Sequence, residues 1–212
     1  MDQSLAHSLA WKAGADWLSQ ILSWSSFLVV VRLLTPADFG IMAMATVLWS
    51  YLRYLGEFGI PQTVVTLRDI SDDQLAQLNS VALFLGVAGF GLAAILAYPL
   101  AAFFKTPQLV LVVWLTCAGM IPLGFRAVSE GLLSRDMRFR TLSLFDATRA
   151  IVSALTTLLL AYFGQGYWSL VFGNLTGHVA RSALVVAARP QRFAVPRRAS
   201  CLLYTSPSPR DS

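Results

Sequence analysis

Long apolar stretches recur along the 212-residue chain, and short polar segments separate them. Each stretch approaches or exceeds the roughly 20 residues that a helix needs to cross the hydrocarbon core of a bilayer. The polar breaks contain residues that end or cap helices, as in TPADFG, KTP and GQGY. The pattern therefore predicts six membrane-spanning helices, at residues 13–34, 39–65, 78–104, 109–128, 144–163 and 167–188.

The composition supports this interpretation, because 56% of the residues are hydrophobic and 13% are charged. Soluble domains carry about 25% charged residues. We therefore expect an all-α integral membrane protein, built as a six-helix transmembrane bundle. The cysteines Cys117 and Cys201 offer no metal-ligand spacing, and the sequence contains no phosphate-binding glycine-rich loop and no HExxH or GxSxG motif. The sequence thus predicts no enzyme, no metal and no cofactor.

The basic residues predict the orientation of the bundle. If the N-terminus is cytoplasmic, Lys105 lies outside and Arg32 lies at the outer end of helix one. The cytoplasmic segments then carry most of the positive charge, at Lys12, Arg68, Arg135, Arg138, Arg140, Arg189, Arg192, Arg197 and Arg198. Because cytoplasmic loops of membrane proteins are enriched in lysine and arginine, this asymmetry favours a cytoplasmic N-terminus. Membrane topology therefore explains the net charge of +5, and no nucleic-acid partner is predicted.

Several polar residues lie within the predicted spans, where they are costly and usually face a bundle interior or a water-filled cavity. Helix two contains Arg53 and Glu57, four residues apart on one face, and helix five begins with Asp146 and Arg149 near the inner interface. Helix one carries polar residues spaced by three or four, at Asp16, Ser19, Gln20, Ser23 and Ser26. These residues either hold packed helices together or line a transport path.

Helix six presents a third polar stripe, formed by Asn174, His178 and Arg181. Gly173 and Gly177 lie on a neighbouring face with the spacing that lets two helices approach closely. A histidine titrates near neutral pH, so His178 either couples transport to protons or makes a packing hydrogen bond.

Three stretches of the sequence are characteristic: RLLTPADFG between helices one and two, RDMRFR before helix five and GQGYWSLV at the start of helix six. They resemble bacterial polysaccharide biosynthesis flippases of the lipopolysaccharide and exopolysaccharide export branch. These flippases form the oligosaccharide branch of the multidrug/oligosaccharidyl-lipid/polysaccharide exporter superfamily. The resemblance covers about residues 5–198. It implies a transporter of twelve or more helices in two lobes, of which residues 1–198 correspond to the N-terminal lobe.

The resemblance also implies a function. Such proteins move an undecaprenyl-pyrophosphate-linked oligosaccharide across the bacterial inner membrane by alternating access, for surface polysaccharide biosynthesis. The implied partners are the lipid-linked oligosaccharide, membrane lipids, a polysaccharide polymerase and glycosyltransferases. Because this substrate is polar and anionic, its path needs arginines and hydrogen-bonding groups between apolar walls. On that chemistry, the substrate-path candidates are Arg53, Arg149, Arg181, Asn174 and Gln20, and the ion-coupling candidates are Asp16, Glu57 and His178.

Two alternative functions fit the same sequence. One is a drug or peptidoglycan-precursor exporter of the same superfamily. The other is a non-transporting membrane scaffold for polysaccharide synthesis, in which the polar stripes only pack helices together. Since one lobe cannot enclose a two-lobed cavity, we expect either that the sequence is truncated or that two copies associate.

The last residues, 201–212, differ from the rest of the chain. They read CLLYTSPSPRDS, without apolar periodicity, and CLLYTSPSPRD also matches one reading frame of a transposase-based sequencing adapter. We therefore expect the native sequence to end near Ser200 and assign no function to residues 201–212.

Overall fold

The computed structural model describes residues 27–57, 64 and 70–194, and the separate positions 14, 17, 20, 21, 24 and 25. At residues 55–57 it describes the backbone alone. All regular secondary structure in this part of the chain is helical, which confirms the all-α prediction. A helical segment at 27–33 precedes six helices: α1 Pro36–Glu57, α2 Asp72–Phe103, α3 Leu109–Ala118, α4 Met120–Arg135, α5 Phe139–Tyr162 and α6 Tyr167–Ala188. Residues 201–212 lie outside the described residues.

The helix boundaries agree with the prediction for α6 and differ elsewhere. Helix α2 begins at Asp72, six residues before the predicted start, because Ser71 and Gln74 form a capping box. The Gln74 amide donates to the Ser71 hydroxyl at 3.3 Å, and the Ser71 amide donates to the Gln74 side chain at 3.0 Å. Helix α5 begins at Phe139 rather than at 144, and the span predicted at 109–128 continues to Arg135 with a break at Gly119.

Four helical stretches in the described part of the chain are long and apolar enough to cross a membrane. They are Asp72–Phe103, Leu109–Arg135 (α3 with α4), Phe139–Tyr162 and Tyr167–Ala188. Helix α1 is not among them, and its sequence is interrupted by Thr46, Ser50 and Arg53. Eight residues of the first predicted span, and residues 58–63 and 65 of the second, lie outside the described residues.

The apolar side chains of these helices largely face outward. In α5, 11% of the most apolar 18-residue window is buried, and Ile151, Leu155 and Leu159 are exposed along one face. Helix α2 likewise exposes Phe84 and Ile95. A surface of this kind would be unfavourable in water, but it matches the hydrocarbon core of a bilayer.

The tightest helix pair is α5 with α6, which run antiparallel. A Cβ atom on Gly177 would lie 3.0 Å from Cβ of Ser153, and one on Gly173 would overlap the Thr157 hydroxyl. The two glycines therefore allow the α6 backbone to lie against α5, as their spacing indicates. The largest apolar core lies among α1, α2, α3 and α6, around Ala45, Ala97, Val112 and other buried residues.

Asp38 joins the start of α1 to the start of α6. Its Oδ2 accepts hydrogen bonds from the Thr35 amide (2.9 Å) and the Thr35 hydroxyl (2.6 Å), while its Oδ1 accepts one from the Tyr167 amide (3.1 Å). One carboxylate thus caps two helix N-termini, where a negative charge is favourable. Two segments that are far apart in sequence, TPADFG and GQGYW, meet at this residue. We call this end of the bundle the Asp38 end.

Replacement of Asp38 by Asn should lower the unfolding free energy by about 1–2 kcal/mol at neutral pH, because two helix caps lose their charge. Burial raises the pKa of Asp38, but the hydrogen bonds from Thr35 and Tyr167 outweigh it and lower the pKa below its ordinary value of 3.8. The carboxylate therefore stabilises the fold above that pH, and the contribution disappears as the pH falls through the lower folded pKa. Thermal unfolding of the wild type and of Asp38→Asn in detergent, at several pH values, tests this prediction. A wild-type advantage that does not shrink as the pH falls below the ordinary value of 3.8 would contradict it.

Candidate functional site

A small cavity of about 300 Å³ lies between the 27–33 segment, α5 and α6. Its walls combine the apolar residues Phe27, Val30 and Leu170 with polar ones. The polar lining comes from Arg149, Ser153, Thr157 and Asn174. The cavity thus brings together two predicted substrate-path residues, Arg149 and Asn174, from neighbouring helices. A cation and an amide between apolar walls can bind an anionic or hydroxyl-rich group.

A larger cavity of about 780 Å³ opens along the face of α1. Asn174 lines both cavities and therefore lies where they adjoin. The α1 side carries three aromatic rings and two aliphatic hydroxyls, which belong to Phe39, Tyr51 and Tyr54 and to Thr46 and Ser50. Each hydroxyl donates to a backbone carbonyl of the preceding turn, at 2.7 Å and 2.9 Å, so its oxygen still presents lone pairs to the cavity.

Arg53, Gln20 and His178 lie outside these two linings. The Arg53 guanidinium is half-buried and lies 5.4 Å from the centre of the Tyr54 ring, in cation–π geometry. Gln20 is exposed, and His178 is half-buried with its ring 5.2 Å from that of Trp49 on α1. Asp16 and the side chain of Glu57 lie outside the described residues. Their predicted roles stay predictions.

Arg181 is buried in an ion-pair network between α4, α5 and α6. Its guanidinium binds both oxygens of Glu130, at 3.1 and 3.3 Å, and both oxygens of Asp146, at 2.8 and 3.2 Å. Glu130 also lies 3.2 Å from Arg126, one helical turn before it on α4. The four charges cancel, which lowers the cost of keeping them at membrane depth. We call these residues the ion-pair network.

Sequence reasoning missed two members of this network, Arg126 and Glu130. The sequence does contain a pattern that could have identified them. Arg126 and Glu130 are opposite charges four residues apart, the same spacing that singled out Arg53 and Glu57. Glu130 was overlooked because the predicted span ended at 128, whereas the structure continues the helix to Arg135. Among the residues that the structure describes, no group of three or more His, Cys, Asp or Glu side chains is placed to hold a metal ion.

The four apolar helices, their outward-facing apolar side chains and the charges buried between them define a multi-pass membrane protein. The particular family follows from comparison with known proteins. Residues 29–203 match the model of the polysaccharide biosynthesis protein family, so the chain belongs to that family. This confirms the resemblance drawn from RLLTPADFG, RDMRFR and GQGYWSLV.

Two curated relatives bear on the family's role. An uncharacterized membrane protein in the cps region of Klebsiella pneumoniae is 23% identical over 79% of this chain. The succinoglycan biosynthesis transport protein ExoT of Rhizobium meliloti (strain 1021) is 30% identical over 68% of it. The matches cover 35% and 29% of these relatives, so the chain spans about a third of their length. No solved structure matches the chain significantly.

Proposed function

We propose that this chain is the N-terminal lobe of a flippase that moves a lipid-linked oligosaccharide across the bacterial inner membrane. The family and the transport role in the name of one relative support a place in polysaccharide export. The observation that carries the proposal is the small cavity, where Arg149 and Asn174 lie together between apolar walls. The substrate would be an oligosaccharide on undecaprenyl pyrophosphate, moved by alternating access, with the N-terminus of the chain in the cytoplasm.

In this proposal the polar residues have different roles. Arg149 attracts the anionic group, and Asn174 donates and accepts hydrogen bonds between the two cavities. Arg53 and Gln20 remain candidates for the path, and Asp16, Glu57 and His178 for ion coupling. Arg181 serves the fold instead, because both edges of its guanidinium are occupied by carboxylates. A polymerase and glycosyltransferases are the proposed protein partners.

Replacement of Arg149 by Gln should reduce surface polysaccharide about tenfold, because a charge-assisted contact contributes about 1.4 kcal/mol or more. The variants are expressed from the native gene in a host whose own gene is deleted. Surface polysaccharide and the amount of protein in the membrane are then measured. Arg149→Lys keeps the charge and should retain much of the export. Arg32→Gln is the control, because it removes an exposed arginine at the Asp38 end, and it should export like the wild type. Full export by both Arg149→Gln and Asn174→Ala would show that this cavity is not part of the transport path.

Two measurements separate the alternatives. A drug exporter should leave the pool of lipid-linked oligosaccharide inside the cell unchanged on gene deletion, whereas an oligosaccharide flippase should cause it to accumulate. For the scaffold alternative, cysteines are introduced as Asn174→Cys and Ser153→Cys, and the wild type, whose Cys117 is buried, measures the background. A membrane-impermeant thiol reagent should label both positions in a water-filled cavity. A scaffold with packed helices should protect them.

A further inference from the structure

The segment after α6, residues 189–194, is bound across the ends of α4 and α2. The carbonyl of Arg189 accepts a hydrogen bond from the buried Ser129 hydroxyl at 2.9 Å. The carbonyl of Arg192 accepts one from the buried Asn79 side chain at 3.4 Å. The Ala194 amide donates to two acceptors near the start of α2, at 3.1 and 3.3 Å. The bundle thus fixes the backbone of this segment at the end opposite the Asp38 end.

With their carbonyls held by the bundle, the side chains of Arg189 and Arg192 are exposed. The Arg189 guanidinium lies 3.7 Å from Asp136, which places it beside the turn between α4 and α5. Two distant parts of the sequence therefore bring arginines to one end of the bundle. We call this set the basic rim; it consists of Arg135, Arg138, Arg140, Arg189 and Arg192.

The rim also carries exposed apolar side chains and an excess of positive charge. Met137, at the tip of the turn with a φ of 53°, is 65% exposed, and Phe193 is 51% exposed. The described side chains of the same end include three carboxylates, Asp72, Asp73 and Asp136, so five positive charges against three leave +2. Arginines beside exposed apolar groups match the boundary between headgroups and acyl chains of an anionic membrane.

We propose that the basic rim binds the headgroups of anionic phospholipids. The arginines contact the phosphates, while Met137 and Phe193 enter the adjoining acyl region. The site is independent of the cavity proposed for the oligosaccharide, because none of its residues lines either cavity. Each arginine near a charged membrane surface strengthens binding by about fivefold, and salt weakens the effect.

The test titrates the full chain in neutral detergent with phosphatidylglycerol, and separately with phosphatidylcholine, and counts bound lipids by native mass spectrometry. The wild type should prefer phosphatidylglycerol. R189Q/R192Q should bind it about 25-fold more weakly, at about fivefold per arginine. The main-chain hydrogen bonds of both residues survive these substitutions, so the thermal midpoint in phosphatidylcholine nanodiscs should stay close to that of the wild type.

The matched control is R32Q/K105Q, which removes two exposed positive charges from the Asp38 end and should keep the preference. R189K/R192K, which keeps the charges, should also keep it. If R189Q/R192Q is unfolded, the single variant R138Q takes its place with an expected fivefold loss. The proposal is overturned if the wild type shows no preference, if the rim variants bind phosphatidylglycerol within twofold of the wild type, or if the control loses as much.

Discussion

Replacement of Glu130 by Gln is expected to lower the unfolding free energy by about 3–5 kcal/mol, the cost of breaking a buried ion pair. Glu130 lies between two arginines, Arg126 and Arg181, whose side chains are 7% and 11% exposed. The substitution keeps the shape of the side chain but leaves two nearly buried guanidiniums with one charge less to balance them. Thermal unfolding in detergent and the amount of protein in the membrane measure the effect.

Asp136→Asn is the matched control. Like Glu130→Gln, it replaces a carboxylate by an amide near the C-terminal end of α4, in a residue that is paired with an arginine. Asp136 is 36% exposed and lies 3.7 Å from Arg189, which is 45% exposed. Exposed ion pairs contribute about 0–1 kcal/mol, so this variant should unfold close to the wild type. Equal losses for both variants would show that the ion-pair network has no special role in stability.

The network also shows what the sequence can predict about polar groups in a membrane bundle. The cost of charge at membrane depth was enough to single out Arg181. Its partners could not be predicted, because Glu130 and Asp146 lie 51 and 35 residues away on other helices. Which residues meet depends on how each helix is rotated about its axis, and a single sequence does not determine that rotation.

The same limit applies to the small cavity. Arg149 and Asn174 were each predicted as path residues, yet nothing in the sequence placed them in one cavity. The structure does so through the close contact at Gly177, where an added Cβ would lie 3.2 Å from the Arg149 carbonyl. Glycine spacing predicted that α6 approaches a neighbour, but not that the neighbour is α5.

Helix existence was predicted better than helix boundaries. Apolar runs located every described helix, since hydropathy reports the residues that contact lipid or the core. The polar ends extended beyond those runs. Asp72 and Asp73 belong to α2 because Ser71 and Gln74 cap it, and the arginine-containing stretch from Phe139 belongs to α5. Capping chemistry, which hydropathy does not register, sets the start of α2, whereas α5 begins after Arg138 without a side-chain capping hydrogen bond.

Replacement of Gly124 by Ala is expected to destabilise the fold by about 1–3 kcal/mol, the usual cost of overpacking. Here α4 crosses α2, and a Cβ on Gly124 would lie 2.7 Å from the Ala82 carbonyl oxygen and 3.1 Å from Cα of Leu83. Both contacts are with backbone, so no side-chain rotation can relieve them and the two helices must move apart. On the facing side of α2, a Cβ added to Gly86 would lie 2.7 Å from the Met120 carbonyl oxygen. The crossing therefore has no room for a larger residue on either helix.

Gly91→Ala on α2 is the control, and its effect on stability should have the opposite sign. A Cβ there would have no atom within 4 Å, so the substitution introduces no clash. Alanine in a helix interior is favoured over glycine by about 0.5–1 kcal/mol, and Gly91→Ala should therefore be neutral or stabilising. Thermal unfolding of the two variants in the same detergent compares one methyl group at a helix crossing with one in open space. If Gly124→Ala proved as stable as Gly91→Ala, the close crossing of α2 and α4 would be wrong.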